Sequence, residues 1–135
     1  VWGQHIVVDR SNMAKRTEVL DVAIDRLKRG VSIVLFPEGT RSQLPNGEML
    51  PFSKGAFLIA QQANVRIVPV SLSHTGEVMP CDALFPVRPG LCLPRLHVHP
   101  PVSAGGKSVK QLRDEVRAII ASKIEPAIYP NSAFA

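Results

Sequence analysis

Short apolar runs alternate along this chain with stretches in which apolar residues recur at helical spacing. Residues 4–8, 31–36 and 65–72 carry Val, Ile and Leu side chains in short runs that are typical of strands buried in a sheet. Residues 15–29 and 54–63 lie between these runs and place their apolar residues on one helical face. The order strand, helix, strand, helix, strand predicts right-handed crossovers onto a largely parallel sheet with covering helices, which is an α/β fold.

The second half of the chain is less regular, because prolines divide it into short pieces. Residues 91–98 are predicted as a fourth strand, and a slip in their apolar phase favours an edge position or a bulge. A last helix is predicted over residues 108–124. No internal repeat is present, so we interpret residues 1–130 as part of one α/β domain and residues 131–135 as a tail.

An acid, a glycine and an arginine follow the run at residues 31–36 in quick succession. Pro37 stops that strand at its carboxyl end, where ligands gather in open α/β sheets. Gly39 lets backbone N–H groups approach an oxyanion, Arg41 offers a planar fork, and Glu38 can orient that arginine or a substrate hydroxyl. The loop therefore suits an anionic substrate, but the residue types alone leave open a salt-bridged turn of any α/β protein.

Three short sequence blocks follow one another along the chain. Residues 3–10 read Gly-Gln-His-Ile-Val-Val-Asp-Arg, residues 36–42 read Phe-Pro-Glu-Gly-Thr-Arg-Ser, and residues 67–72 read Ile-Val-Pro-Val-Ser-Leu. In this order and spacing they resemble the second, third and fourth blocks of the 1-acylglycerol-3-phosphate acyltransferases. Residues 51–57 are similar to the segment that follows the third block, which is itself the most specific signal.

The resemblance implies transfer of a fatty acyl group from acyl-coenzyme A or acyl-carrier protein to a hydroxyl of 1-acylglycerol 3-phosphate (lysophosphatidate) or a related lysophospholipid, as in phospholipid synthesis. It implies no metal and no other cofactor. Arg10 and Arg41 are expected to bind the acceptor phosphate, with Lys54 as a third cation at the start of a helix. The substrate-binding residues predicted in this way are Arg10, Glu38, Gly39, Thr40, Arg41 and Lys54.

The first block of that family does not occur in these 135 residues. It consists of Asn-His followed four residues later by Asp, and in the family it supplies the general base and the carboxylate that orients it. His5 and Asp9 are one residue too close for it, and in a strand both point to the same face. We therefore predict no catalytic residue here, an N-terminal truncation, and no turnover by this chain alone.

Two alternatives to an acyltransferase remain open at this stage. One is a non-catalytic module that uses the same residues to bind lipid headgroups or phosphate. The other is an unrelated α/β phosphate-ester enzyme whose loop converged on the same residue types.

Charge and composition restrict the partners. The net charge of +5 favours anionic ones such as lipid headgroups and coenzyme A, whereas aromatic residues at 5% make a nucleic-acid surface a poor prediction. No apolar stretch reaches the roughly 18 residues that a membrane-spanning helix needs. We expect association with a membrane surface through charge, on a cytosolic or plastid stromal face. The two cysteines have neither zinc-site spacing nor the density of a disulfide scaffold, which favours a reducing compartment.

Two further groups of residues could suggest other chemistry. His97 and His99 share one strand face, but no third ligand lies near them in sequence, so we predict no metal site. Ser71, His74 and Asp82 are the residue types of a hydrolase triad, but no Gly-x-Ser-x-Gly turn presents the serine.

Overall fold

The computed structural model describes residues 13–40, 48–78 and 94–126. Four helices and two strands lie in these ranges. The helices are α1 (Met13–Lys28), α2 (Gly55–Gln62), α3 (Thr75–Val78) and α4 (Val109–Ala121), and the strands are β1 (Val70–Ser73) and β2 (Arg95–Val98). None of the helices in the described ranges is both long and apolar enough to cross a membrane.

Helix α1 occupies the first of the predicted helical stretches. It buries Ala23 and Ile24 against Ile59 of α2. Its exposed side carries an ion pair between Arg29 and Asp25, with Nη2 and Oδ2 2.9 Å apart. Gly30 follows with a φ of 84°, a left-handed conformation that favours glycine and ends the helix.

Helices α2 and α4 form the main core with the segments around them. Leu112 of α4 is 0% exposed, and Phe57 of α2 is 2% exposed. Ser108 opens α4 with a capping box, because its Oγ accepts from the N–H of Gln111 while the Gln111 side chain accepts from the N–H of Ser108. The remaining buried members of this core are Phe52, Ala60, Val102, Ala104 and Val116.

The described sheet differs from the prediction of a largely parallel one. Strands β1 and β2 pair antiparallel, with Val70 opposite Val98 and Ser73 opposite Arg95. An isolated antiparallel bridge between Ile67 and Val102 extends the pairing beyond the strands. Strands β1 and β2 overlap the predicted runs 65–72 and 91–98, but their antiparallel pairing means that the described sheet is not a parallel one. The strands predicted over residues 4–8 and the start of 91–98 lie outside the described ranges.

Residues 31–36, predicted as a strand buried on both faces, form neither a helix nor a strand. Val34 is 83% exposed and Phe36 is 74% exposed. Only Ile33 packs inward, against the cluster of Ala23, Ile24 and Ile59. An apolar run becomes a strand only where another strand supplies hydrogen-bond partners, and within the described part of the chain no strand pairs with this run.

Strand β1 buries its serines rather than its valines. In the apolar run at residues 65–72, Val68 and Val70 are 50% and 38% exposed, whereas Ser71 is 1% exposed and Pro69 is fully buried. The strand period of two then places Ser73 inward as well. The buried serines are stable there because each has a hydrogen-bond partner beyond the strand, described below.

Candidate functional site

The turn at residues 36–40 carries three of the predicted binding residues, Glu38, Gly39 and Thr40. The N–H of Gly39 donates to the carbonyl oxygen of Phe36 at 3.0 Å, which closes the turn. Gly39 has a φ of 72°, so a residue without Cβ is needed here. Thr40 is exposed and Glu38 is half-buried.

Two hydrogen bonds tie this turn to the segment that precedes α2. Glu38 Oε2 accepts from the N–H of Leu50 at 2.8 Å. The carbonyl oxygen of Pro37 accepts from the N–H of Ser53 at 2.8 Å. The prediction gave Glu38 the role of orienting an arginine or a substrate hydroxyl. Among the described contacts, its carboxylate instead holds a backbone N–H.

Lys54 lies next to this junction, at the first turn of α2. It is exposed and occupies the N-cap position with φ −75° and ψ −19°, without a side-chain cap. Ser53, the residue before it, does not cap the helix, because Lys54 occupies the N-cap position, and the Ser53 N–H donates to Pro37. Helix N-termini carry free N–H groups and a partial positive charge, so the fold adds to the cationic character that Lys54 brings.

The start of α2 packs into the main hydrophobic core through two phenylalanine side chains. The rings of Phe52 and Phe57 stack with centroids 6.4 Å apart and planes 13° from parallel. Both rings belong to the main core. The segment 48–53 is therefore fixed on its inner side, while its backbone N–H groups reach the turn.

Glu38, Gly39 and Thr40 thus share one turn, and the hydrogen bond from Ser53 to Pro37 places the residue before Lys54 beside it. That these residues bind the substrate together stays a prediction. Arg10 and Arg41, the two predicted phosphate ligands, lie outside the described residues. Arg41 belongs to residues 41–47, between the two described ranges that end at Thr40 and begin at Glu48. These two ranges are joined by the bonds of Glu38 and Pro37.

A second group of polar residues lies between β1 and α4. Ser71 Oγ donates to the carbonyl oxygen of Ile120 at 2.6 Å and accepts from His99 Nε2 at 2.7 Å. Because its proton is committed to Ile120, Ser71 is a structural serine and not a nucleophile. Asp82 of the rejected triad lies outside the described residues.

The pKa of His99 lies below its ordinary value. Burial is the first cause, since it disfavours the imidazolium, and repulsion from His97 and Lys123 acts in the same direction. The rings of His97 and His99 lie 4.6 Å apart, centroid to centroid, edge to face. In the part of the chain that the structure describes, no group of three His, Cys, Asp or Glu residues could hold a metal ion.

A charged group fastens the end of α4 to the sheet. His74 Nε2 donates to Glu125 Oε2 at 3.1 Å, and Arg95 Nη1 lies 3.0 Å from Glu125 Oε1. The N–H of Glu125 also donates to Ser73 Oγ at 3.0 Å. The hydrogen bonds from His74 and then from Arg95 hold the pKa of Glu125 below its ordinary value. We interpret this group as structural, because it stabilises the packing of the end of α4 against the sheet.

Comparison with known proteins identifies the family. The sequence model of the Acyltransferase family matches residues 2–73, more than half of the chain. The chain belongs to the acyltransferase family. The match includes the turn at residues 36–40 and the start of α2, so the described part of the candidate site lies within the family's own region, and the resemblance drawn from the sequence is confirmed.

Relatives of this acyltransferase chain share a common description. A 1-acyl-sn-glycerol-3-phosphate acyltransferase of Chlamydomonas reinhardtii is 34% identical over 124 residues, which are 92% of this chain and 36% of that protein. One from Salmonella typhimurium is 35% identical, covering 89% of this chain and 48% of that protein. The crystal structure of the 1-acyl-sn-glycerophosphate acyltransferase PlsC from Thermotoga maritima superposes with a TM-score of 0.66 at 34% identity, over 77% of this chain and 42% of that one. The chain thus spans between a third and a half of the length of these relatives.

Sequence reasoning missed one residue that contacts the segment beside the candidate site. Arg117 of α4 donates from Nη2 to the carbonyl oxygen of Met49 at 3.0 Å, and its guanidinium carbon lies 5.9 Å from the centroid of the Phe52 ring. Arg117 lies 68 positions from Met49, off the apolar face of a helix, where an arginine normally indicates only solvent exposure. The sequence holds no signal for this contact.

Proposed function

We propose that this chain is the acceptor-binding part of an enzyme that acylates lysophosphatidate. The acyl donor is acyl-coenzyme A or acyl-carrier protein, and the product is phosphatidate for phospholipid synthesis. The proposal is supported by family membership, by the relatives' descriptions and by one structural observation that carries most weight. This observation is the pair of hydrogen bonds that joins the turn at residues 36–40 to the segment 48–53, beside Lys54.

The reaction balances without a redox or metal cofactor. The acceptor hydroxyl loses its proton to a general base, and its oxygen attacks the thioester carbonyl carbon. A C–O ester bond forms, the C–S bond breaks, and the thiolate leaves and takes up a proton. In the family the base is the His of the first block, which does not occur in these residues. We expect the 135 residues by themselves to bind the acceptor without turning it over.

In this proposal the chain contributes the phosphate site. Arg41 and Arg10 bind the phosphate through charge-assisted hydrogen bonds, and Lys54 adds a cation at the N-terminus of α2. Thr40 offers its hydroxyl on the exposed side of the turn. Gly39, whose own N–H donates to Phe36, provides the left-handed conformation and the absence of a Cβ that let an anion approach. Glu38 supports them by fixing the turn, since its carboxylate holds Leu50. Positioning of this kind lowers the barrier by placing the acceptor hydroxyl near the thioester.

The test is an acyl-transfer assay on the natural full-length protein. Labelled acyl-coenzyme A and acyl-carrier protein are each supplied with lysophosphatidate or with monoacylglycerol, which has the same hydroxyl but no phosphate. We expect labelled phosphatidate and a strong preference for the phosphorylated acceptor. The 135-residue chain, assayed in parallel, should give no product above the background of its Glu38→Ala, Arg41→Ala variant.

Failure of the assay would be informative. If the folded protein binds lysophosphatidate but gives no product with either donor, the proposed enzyme is ruled out and the non-catalytic headgroup-binding module is favoured. Equal rates with lysophosphatidate and with monoacylglycerol would show that the turn does not recognise the acceptor phosphate, and the assignment of the phosphate site would be wrong.

A further inference from the structure

We propose that Arg117, on α4, is a positioning residue that holds the turn at residues 36–40 in place through the segment 48–53. The inference rests on the proposed function for its kinetic consequence, although its structural part stands by itself. Arg117 would not touch substrate. It would act through the segment 48–53 and through Glu38.

Both described contacts of Arg117 go to that segment. Its Nη2 donates to the carbonyl oxygen of Met49 at 3.0 Å. Its guanidinium lies over the face of Phe52, 5.9 Å from the ring centroid, within the range of a cation–π interaction. One side chain thus fixes both a backbone carbonyl and an aromatic ring that are three positions apart.

The same segment is the anchor of the turn. The residue after Met49 is Leu50, whose N–H donates to Glu38, and the residue after Phe52 is Ser53, whose N–H donates to Pro37. Each contact of Arg117 is therefore one residue away from a bond that holds the turn. A shift of segment 48–53 would lengthen both bonds and move Gly39 and Thr40 relative to Lys54.

Helix α4 is a rigid base for such a contact. At its N-terminal end it has the capping box of Ser108, and Lys107 Nζ pairs with Glu115 at 2.6 Å. At its C-terminal end, the Ile120 carbonyl accepts from Ser71. Leu112 and Val116 bury its apolar face in between. Arg117 thus projects from a helix that is fixed along its length, which is what a positioning contact requires.

Hydrogen exchange gives a readout that does not depend on activity. In the natural full-length protein, Arg117→Ala should speed exchange of the Leu50 and Ser53 amides about fivefold, the size expected for loss of roughly one net hydrogen bond. Arg117→Lys, which keeps a cation and a donor but not the fork, should give a smaller acceleration.

Arg113 provides the matched control. It lies one helical turn earlier on α4, and its described ion pair is with the neighbouring Asp114 at 3.1 Å. Arg113→Ala should leave exchange at Leu50 and Ser53 unchanged within about twofold, since it removes an arginine from the same helix without touching segment 48–53. Equal exchange in the Arg117→Ala and Arg113→Ala proteins would overturn the inference.

The kinetic readout tests the positioning role. Arg117→Ala should raise the KM for lysophosphatidate about fivefold while the KM for the acyl thioester stays within about twofold, and Arg117→Lys should recover part of the loss. A rise in both constants, or a loss of kcat alone, would contradict it. If the natural protein transfers no acyl group, the proposed function fails, and the exchange experiment still decides whether Arg117 holds the turn.

Discussion

The negative charge of Glu38 made it a candidate substrate-binding residue, but in the structure its carboxylate binds a backbone N–H. Its carboxylate accepts from the N–H of Leu50 at 2.8 Å, in a half-buried position. This bond ties the two ends of the loop that contains Arg41. The family-typical acid in this turn is therefore, in the described contacts, a support for the turn itself.

The first prediction concerns this bond. Glu38→Ala leaves the Leu50 N–H without its acceptor and should lower the free energy of unfolding by about 1–3 kcal/mol, whereas Glu38→Gln keeps an acceptor oxygen and should cost less. Urea unfolding of the three proteins measures the difference. If Ala and Gln variants were equally stable, the hydrogen bond would contribute nothing and Glu38 would have to act on the substrate alone.

The second prediction concerns His99, whose pKa is lowered by burial and by repulsion from His97 and Lys123. The unfolded chain binds a proton at His99 more readily than the folded protein does. His99 therefore contributes full stability above the ordinary pKa of about 6.5, and this contribution falls as pH drops below that value.

An NMR titration checks this directly. The His99 ring should titrate below about 6.5, and His97→Gln, which removes the neighbouring charge, should raise its pKa towards that value. A wild-type midpoint at or above 6.5 would show that the ring is not held neutral by its surroundings.

At the level of elements, α4 is stabilised both by its cap and by its buried face. Ser108→Ala removes the capping box and should cost about 1 kcal/mol of unfolding free energy.

Leu112→Ala opens a cavity at a side chain that is 0% exposed and should cost about 2–5 kcal/mol of unfolding free energy. Thermal or urea unfolding gives both values, with the exposed Ser32→Ala as a control that should change little. A Leu112 variant as stable as the Ser32 variant would contradict the described core.

Helices were predicted from the sequence more completely than strands. The helical period of Ala23, Ile24, Leu112 and Val116 predicted the buried faces of α1 and α4, because a helix satisfies its own hydrogen bonds and needs only one apolar side. Strands β1 and β2 overlap the predicted runs 65–72 and 91–98, whereas the run 31–36 has the composition of a buried strand but forms none. Strand β1 buries Ser71 and leaves Val70 exposed. Which strands pair, and which face of a strand is buried, depends on residues far away in sequence. The local composition of a strand carries no information about those residues.

The candidate site likewise has one part that the local sequence predicted and another part that depends on distant residues. The local motif predicted that Glu38, Gly39 and Thr40 form one turn, and Ser53, the residue before Lys54, is bonded to that turn. The contacts that hold the turn, from Leu50, Ser53 and Arg117, depend on tertiary packing. Backbone donors and a helix-surface arginine have no sequence signature, so they could be found only in the structure.

At the level of the whole molecule, the net charge of +5 predicts how the protein meets a bilayer. Basic residues near an anionic surface contribute on the order of 1 kcal/mol each, and salt screens exposed charges. We expect co-sedimentation of the natural protein with phosphatidic-acid vesicles to exceed that with neutral vesicles and to fall at high salt. Equal binding to neutral vesicles, or binding that survives high salt, would indicate an apolar surface instead.

The central claim is that the turn and the loop after it bind the acceptor phosphate. The most direct measurement compares the KM for lysophosphatidate and for the acyl thioester in wild-type, Arg41→Ala, Arg41→Lys and Arg29→Ala proteins, where Arg29 is an exposed arginine directly after α1, paired with Asp25. Loss of a charge-assisted bond worth about 1.5–3 kcal/mol should raise the acceptor KM by about 10- to 150-fold in Arg41→Ala. Arg41→Lys should recover it only in part, and Arg29→Ala should not change it. An unchanged acceptor KM together with a raised thioester KM would assign Arg41 to the donor and contradict the account.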